Sequence, residues 1–191
     1  MNRSHGQPGG DPGDGHPGGA ASPPGAGDQA SEPDPLAGQA IALLTASGRT
    51  VAVAESLTGG MLAAALVAVP GASAAFRGGV VAYATDLKAS LLGVPAGLLE
   101  RHGAVHPDVA AAMAAGARRR LAADFGVATT GVAGPDPADG QPVGTVYIAV
   151  SGKGREAARA LRLTGYRQQV RVASVGQALA LLVSVLREHE S

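Results

Sequence analysis

The feature that most constrains the fold is an alternation, from about residue 35 onward, of short aliphatic runs with longer segments of helical periodicity. Five runs predict strands, and these are "TVAVAE", "FRGGVVAY", "VATTGV", "GTVYIAV" and "EAARALRL". Apolar positions at helical spacing predict helices before, between and after these strands. The pattern predicts an α/β fold, a three-layer α/β/α sandwich, with a mixed, mostly parallel central sheet because the last strands form a hairpin.

Capping residues predict where the helices begin and end. Thr58 is expected to open the helix in "TGGMLAAALVAVPG", which stops before Pro70. In "HPDVAAAMAAGARRRLAADFG", Pro107 suits the first helical turn and His106 precedes it as a cap. Gly126 is expected to end that helix, since glycine readily adopts the left-handed conformation found there.

Composition divides the 191 residues into two parts. Residues 1–34 are dominated by glycine and proline, with almost no aliphatic side chains. Such a segment cannot bury enough apolar surface to offset the entropy lost on ordering. We therefore predict a disordered tail over residues 1–34 and one folded domain over residues 35–189.

Charge and residue content exclude several functional classes. Lys plus Arg and Asp plus Glu each number 15, and a net charge of zero argues against a nucleic-acid or anionic-membrane coat. The chain has no cysteine, so it can form no disulfide and no Cys-ligated metal site. The longest apolar stretch, residues 61–69, is far shorter than the roughly 20 residues of a membrane helix. We expect a soluble cytoplasmic protein that binds no metal, nucleic acid or membrane.

The stretch "VAVAESLTGG" places a serine, Ser56, directly between a buried strand and a glycine-rich helix start. Free backbone N–H groups at such a turn can stabilise developing negative charge, and Gly59 and Gly60 allow a ligand to approach the backbone. The stretch therefore fits a presented nucleophile. Structural capping by Ser56 or Thr58 explains most of it equally well, and the sequence leaves both interpretations open.

A lysine in "YATDLK" is the best candidate to activate that serine, because no His–Asp pairing is visible. Tyr83 and Lys88 follow the second strand, in the same relative position as Ser56 after the first, and such strand ends meet on one side of an α/β sheet. A neutral lysine can serve as the base of a serine nucleophile. From spacing alone, however, a solvated helix lysine remains the simpler interpretation of Lys88.

The segment "TTGVAGPDPADGQPVGTVYIAV" is a third site candidate. Thr130 and Gly131 end a buried strand, and a hydroxyl with exposed amides there could bind a phosphate or a carboxamide. A plain wide hairpin loop is the competing interpretation. Asp136 and Asp139 could bind magnesium, although two loop acids are more often turn formers.

The four motifs "AESLTGG", "FRGGVVAYATDLKASLLGV", "HGAVHPDVAAAMAAGARRRL" and "TTGVAGPDPADGQPVGTVYIAV" occur in this order. Together they closely resemble the CinA C-terminal domain family over nearly all of residues 36–186. The resemblance implies a nicotinamide-nucleotide amidohydrolase (NMN deamidase, PncC-like). Such an enzyme converts nicotinamide mononucleotide (NMN) to nicotinic acid mononucleotide and ammonia in pyridine-nucleotide salvage. It also implies the stand-alone form of the family, without the further N-terminal domain of longer CinA proteins.

The resemblance also implies roles for individual residues. Ser56 matches the proposed nucleophile of the family, and Tyr83 and Lys88 match its Tyr and Lys, which would assist as base and acid without a metal or cofactor. Amides near Thr58, Gly59 and Gly60 would stabilise the oxyanion. The 5′-phosphate of NMN could lie on a helix N-terminus or pair with Arg167 and Arg171, which share a helix face; a solvated face is the alternative for these two arginines.

Three residues depart from the family pattern. Leu57 stands where many relatives have cysteine, His106 where they often have serine, and Tyr166 replaces the aspartate of a common "GDR" pattern. If that aspartate orients Arg167, its loss could weaken substrate binding. A catalytically weak nucleotide-binding or regulatory domain of the same fold is therefore the alternative function. The Ala-rich helices offer flat apolar faces that could pair, which leaves a homo-oligomer open.

Overall fold

In the computed structural model, which describes residues 32–188, the predicted central sheet is present and mixed. Its strand order is β2-β1-β3-β4-β5, with parallel pairing of β1 to β2 and β3 and antiparallel pairing of β3 to β4 and β4 to β5. Four of the five strands thus run in one direction, as predicted. The strands are β1 Val51–Glu55, β2 Phe76–Val81, β3 Phe125–Gly131, β4 Thr145–Gly152 and β5 Arg155–Arg162.

Six α-helices flank the sheet in the described part of the chain. They are α1 Pro35–Ala46, α2 Met61–Val67, α3 Thr85–Leu92, α4 Ala96–His102, α5 Pro107–Arg120 and α6 Arg167–Arg187. The predicted tail lies outside the described residues except for its last three, of which Asp34 caps α1 through hydrogen bonds from two backbone amides. The sequence patterns did not predict α4, a short helix of seven residues.

The two faces of the sheet carry side chains of different size, which separates the helices into two layers. Val51 and Val53 of β1 point into one core, with α1, α2 and α6. Ala52 and Ala54 of the same strand point into the other core, with α3, α4 and α5. The two cores on opposite faces confirm the three-layer α/β/α sandwich, because alternate residues of a strand face opposite sides.

Two of the predicted helix boundaries are wrong. Gly126 does not end α5, which ends at Arg120, but lies in β3. It is glycine because α5 crosses the sheet there: a Cβ on Gly126 would lie 2.0 Å from the carbonyl oxygen of Ala114. Thr58 does not open α2 either, since Gly60 is the N-cap in a left-handed conformation that favours glycine.

Helix α6 is the one helix among residues 32–188 that is long and apolar enough to cross a membrane by length and composition. Counting uninterrupted apolar runs overlooks it, because Ser, Gln and Gly residues interrupt the segment. More than half of it is buried within the domain, where it packs against α1 and the sheet. The absence of a membrane partner stays a prediction.

The carboxyl ends of the three parallel strands β1, β2 and β3 lie close together at one edge of the sheet. Glu55, the last residue of β1, pairs with Val81 of β2 and with Thr129 of β3. The segments that follow these strands therefore start side by side. These are the three segments that carry the candidate site residues, and such an edge is where open α/β sheets place their ligand sites.

Candidate active site

Ser56 lines a cavity of about 250 Å³ at this edge of the sheet. Its backbone N–H donates to the carbonyl oxygen of Thr129, which ties the turn after β1 to β3. The residue is only 8% exposed. The cavity lining brings together members of all three predicted segments, among them Ser56, Lys88, Thr130, Gly131 and Asp139, and adds Arg167 of α6.

Lys88 is a buried partner of Ser56. It is 1% exposed, so the interpretation as a solvated helix lysine is wrong. Its Nζ donates to Ser56 Oγ at 3.1 Å and to the carbonyl oxygen of Ala82 at 2.8 Å, with that of Tyr83 at 3.5 Å. A neutral amine has two N–H donors and one lone pair. The ammonium form can donate to all three oxygens, and the neutral form can donate to the two carbonyls while its lone pair accepts the Ser56 hydroxyl hydrogen, so the same contacts serve both protonation states.

Burial lowers the pKa of Lys88 below the ordinary value of a lysine, because desolvation disfavours the ammonium form. The carboxylate of Asp139 opposes this effect and favours the charged form, but it is the smaller cause. No carboxylate forms an ion pair with Lys88 among residues 32–188. The site thus supplies a serine hydroxyl next to an amine that loses its proton more readily than an ordinary lysine, as the base of a Ser–Lys pair must.

Glu55 accepts hydrogen bonds from the backbone amides just before and at the start of α2. Its buried carboxylate accepts hydrogen bonds from the backbone N–H groups of Gly60, Leu62 and Ala63 at 2.8–3.0 Å. A phosphate therefore cannot use these amides, and α2 is not the helix N-terminus that holds one. The same contacts lock the glycine-rich segment to the end of β1.

Replacing Glu55 with glutamine is expected to lower the free energy of unfolding by about 2 kcal/mol, since the amide keeps one acceptor oxygen and turns a donor towards backbone N–H groups. Urea unfolding of the variant measures this. Glu156→Gln, at an exposed position of β5, is the matched control and should stay near wild type. Equal stability of the two variants would show that the three amide contacts contribute little.

The turn after Ser56 leaves two backbone N–H groups without an acceptor in the described part of the chain, those of Leu57 and Thr58. The N–H of Gly59 donates to the carbonyl oxygen of Ser56, and that of Gly60 donates to Glu55. The Thr58 hydroxyl forms a buried hydrogen bond of 2.7 Å with the Thr129 hydroxyl. The candidate oxyanion donors therefore lie one or two residues before the two glycines.

The hydroxyl of Tyr83 lies away from Lys88. It accepts a hydrogen bond of 3.0 Å from Nη2 of Arg167, whose Nη1 donates to the carbonyl oxygen of Gly134 at 2.6 Å. The Tyr83 side chain is 60% exposed and lines the cavity. Arg167 therefore joins the segments after β2 and β3 across the cavity, and Tyr83 reaches Lys88 through its backbone carbonyl.

Arg171, one helical turn further along α6, is not among the residues that line the cavity. Its guanidinium donates to the carbonyl oxygens of Leu57 and Thr58 at 2.9 Å and 3.0 Å. The structure thus separates the two arginines that the sequence grouped together. Arg167 faces the cavity, whereas Arg171 holds the backbone of the turn that presents Ser56.

The segment after β3 carries a residue that sequence reasoning undervalued. The sequence predicts a turn former or a magnesium ligand at Asp139. In the structure Asp139 lines the cavity, and its carboxylate accepts a hydrogen bond of 2.6 Å from the Ala104 amide. Thr130 donates its hydroxyl to the carbonyl oxygen of the same residue at 2.7 Å. Gly131 is glycine because a Cβ there would lie 2.6 Å from the carbonyl oxygen of Thr145.

Within residues 32–188, no group of three His, Asp or Glu side chains could hold a metal ion.

The three departures from the family pattern have plain structural positions. His106 caps α5, as predicted, with its Nδ1 accepting from the Asp108 amide. Leu57 is buried and packs into the core beside α6. Tyr166 is exposed at the start of α6, and Arg167 is oriented by Tyr83 and a carbonyl instead of by a carboxylate at position 166.

The sequence matches a family model described as the CinA C-terminal domain over residues 33–186. A CinA-like protein of Frankia casuarinae is 52% identical over 162 residues, which cover 85% of this chain and 37% of the relative. A CinA-like protein of Gloeobacter violaceus is 53% identical over 155 residues, covering 80% and 36%. The chain therefore spans a little over one third of the length of these relatives.

Solved structures show the same fold. A competence-damaged protein (CinA) superfamily protein from Escherichia coli is 34% identical with a TM-score of 0.78, covering 84% of this chain and 94% of that one. The competence/damage inducible protein CihA from Agrobacterium tumefaciens is 38% identical with a TM-score of 0.76, covering 80% and 93%.

Proposed function

This chain belongs to the CinA C-terminal domain family, and we propose that it is a nicotinamide-nucleotide amidohydrolase, which hydrolyses NMN to nicotinic acid mononucleotide and ammonia in pyridine-nucleotide salvage. The observation that carries the chemistry is the 3.1 Å contact between Lys88 Nζ and Ser56 Oγ in a nearly buried setting. The resemblance of the four motifs to the family supports the choice of substrate. Substrate and catalytic groups meet in the cavity at the edge of the sheet.

The reaction proceeds through an ester of Ser56. Lys88 takes the hydroxyl proton as Ser56 Oγ attacks the carboxamide carbon, and a tetrahedral oxyanion forms. The amides of Leu57 and Thr58 donate to that oxygen. Lys88 then returns the proton to the nitrogen, the C–N bond breaks and ammonia leaves. Water, deprotonated by Lys88, hydrolyses the ester and releases the carboxylate product, so no metal or cofactor is needed.

Arg167 is the group we assign to the 5′-phosphate of NMN. Besides Lys88 it is the only cationic side chain among the described residues that line the cavity. Its guanidinium has five N–H donors, so a phosphate can be held bidentately if the bond to the Tyr83 hydroxyl is exchanged. Tyr83 and Thr130 stand beside it as further contacts for the nucleotide.

The direct test is ammonia release from NMN by the purified protein in the presence of EDTA. Turnover that survives the chelator supports a metal-free amidohydrolase. Binding of NMN without ammonia release would instead favour the alternative, a catalytically weak nucleotide-binding or regulatory domain of the same fold.

The pH dependence of kcat/KM is expected to report the titration of Lys88. Only the neutral amine accepts the Ser56 proton, so activity should rise with pH and level off below the ordinary pKa of a lysine. Asp139→Asn should move this rising limb to still lower pH, because it removes the charge that favours the ammonium form. Asparagine keeps an acceptor for the Ala104 amide, so the segment should stay in place.

Initial rates across the pH range measure the rising limb of kcat/KM for the wild type and for Asp139→Asn. Asp108→Asn, an exposed carboxylate at the start of α5, is the matched control and should leave the limb unchanged. A shift of the Asp139→Asn limb to higher pH would contradict the assignment of Lys88 as the base.

A further inference from the structure

We propose that Arg171 is a positioning residue of the oxyanion site, which orients the peptide groups after Ser56 from behind and does not contact the substrate. This inference rests on the proposed role of Ser56 as a nucleophile. It replaces the sequence-based interpretation that Arg171 pairs with the phosphate.

Each of the three guanidinium nitrogens of Arg171 donates to an acceptor of the protein, and Arg171 is not among the residues that line the cavity. Its Nε donates to the Leu57 carbonyl oxygen, its Nη2 to that of Thr58, and its Nη1 to the side-chain oxygen of Gln168. All three nitrogens therefore have acceptors at 2.9–3.0 Å. A phosphate would have to compete with these three contacts, whereas Arg167 makes only two and lines the cavity, so that it needs to exchange only the bond to the Tyr83 hydroxyl.

The contacts of Arg171 set the direction of one amide in particular. In a trans peptide the carbonyl of one residue and the N–H of the next point to opposite sides. Because the Leu57 carbonyl points at Arg171, the Thr58 N–H points away from Arg171. That N–H is one of the two in this turn without an acceptor among the described residues.

The other free donor is oriented by the turn itself. The Leu57 N–H lies opposite the Ser56 carbonyl, which accepts from the Gly59 N–H. Gly59 also gives Arg171 its room, since a Cβ there would lie 3.3 Å from Nη2. Glu55 holds the following amides from the other end of the segment. With these fixed, the two N–H groups that follow Ser56 keep no acceptor among the described residues; Leu57 lines the cavity and Thr58 is buried directly after it in the chain, and an oxyanion site needs such unpaired donors.

Arg171→Met is the test variant, because methionine keeps the apolar stem and removes all donors. With NMN as substrate, kcat should fall about 10²-fold, the loss typical of one misplaced oxyanion donor. The Kd of NMN, measured by calorimetry in the Ser56→Ala background, should stay within about threefold. A residue that binds phosphate would give the opposite pattern, a raised Kd with little change in kcat, and that result would overturn the proposal.

Arginine variants of the same helix provide the comparison. Arg167→Met should raise the Kd of NMN, since Arg167 is the residue assigned to the phosphate. Arg187→Met removes a guanidinium that bonds Gln39 far from the cavity, and it should behave as wild type. Arg171→Lys, which retains a donor for the carbonyls, should recover part of kcat, and it also serves if the methionine variant does not fold.

Covalent labelling tests the role of Arg171 even if NMN is not the substrate. A fluorophosphonate probe phosphonylates an activated serine and places its own oxygen in the oxyanion site. Labelling of Ser56 should be slowed in Arg171→Met even if NMN is not hydrolysed by the wild type. Undiminished labelling in that variant would refute the positioning role, and no labelling of wild-type Ser56 would refute the nucleophile and this inference with it.

Discussion

Replacement of Ser56 by alanine is expected to reduce ammonia release from NMN to below about 10⁻³ of the wild-type rate, because no other group can form the ester intermediate. The fold should persist. The serine side chain makes one hydrogen bond, to Lys88, and Lys88 keeps the Ala82 carbonyl as its partner. Ammonia release and thermal unfolding of the same preparation measure both parts of the prediction.

Ser90→Ala is the matched control for this variant. Ser90 is exposed on α3 and donates only to the carbonyl oxygen of Asp86, so its loss should leave turnover unchanged. Retained turnover in a folded Ser56→Ala protein would show that Ser56 is not the nucleophile. Bound NMN would then be attacked directly by water, with Lys88 as its base.

Lys88→Met is expected to lower kcat by about 10²- to 10⁴-fold, the usual contribution of a general base, while the melting temperature stays equal to or above that of the wild type. Methionine fills the same buried space without an amine. In the wild type, the folded-state pKa of Lys88 lies below its unfolded value. Its cost to folding is therefore absent above the unfolded pKa, grows as the pH falls from the unfolded towards the folded pKa, and is fully present below the folded pKa.

The stability advantage of Lys88→Met over the wild type should thus be larger at pH 6 than at pH 9. Melting curves across this range measure it. The chain has one other lysine, Lys153, which is exposed after β4. Lys153→Met is the matched control and should change neither kcat nor the pH dependence of stability. An advantage of Lys88→Met over the wild type that shrinks as the pH falls would contradict the lowered pKa of Lys88.

Local sequence patterns predicted the sheet and its layers because they depend on neighbours along the chain. Alternating Val and Ala in "VAVAE" set two faces of β1, and the hairpin of β4 and β5 made the sheet mixed. The predicted helix boundaries were wrong where contacts with a residue or element outside the helix set the boundary. Gly126 is glycine because of the α5 backbone, and Gly60 rather than Thr58 caps α2 because the carboxylate of Glu55 takes the first amides.

The candidate site divides in the same way. Ser56 and Lys88 were predicted because each follows a strand, and parallel strand ends meet at one edge. Their residue types alone left a solvated lysine as the simpler interpretation. The sequence around Asp139 indicated only a turn. Its place in the cavity depends on a contact with Ala104, 35 positions away, which no local pattern predicts.

By itself, the sequence determined the order of strands and helices, membership in the family through four ordered motifs, and the residues that stand at strand ends. Only the tertiary structure decided the chemical state of those residues. Burial, not residue type, lowers the pKa of Lys88. The bonds from Arg171 to the turn after Ser56 join residues more than 110 positions apart. Such effects depend on packing and solvent exclusion between distant segments, which no local pattern encodes.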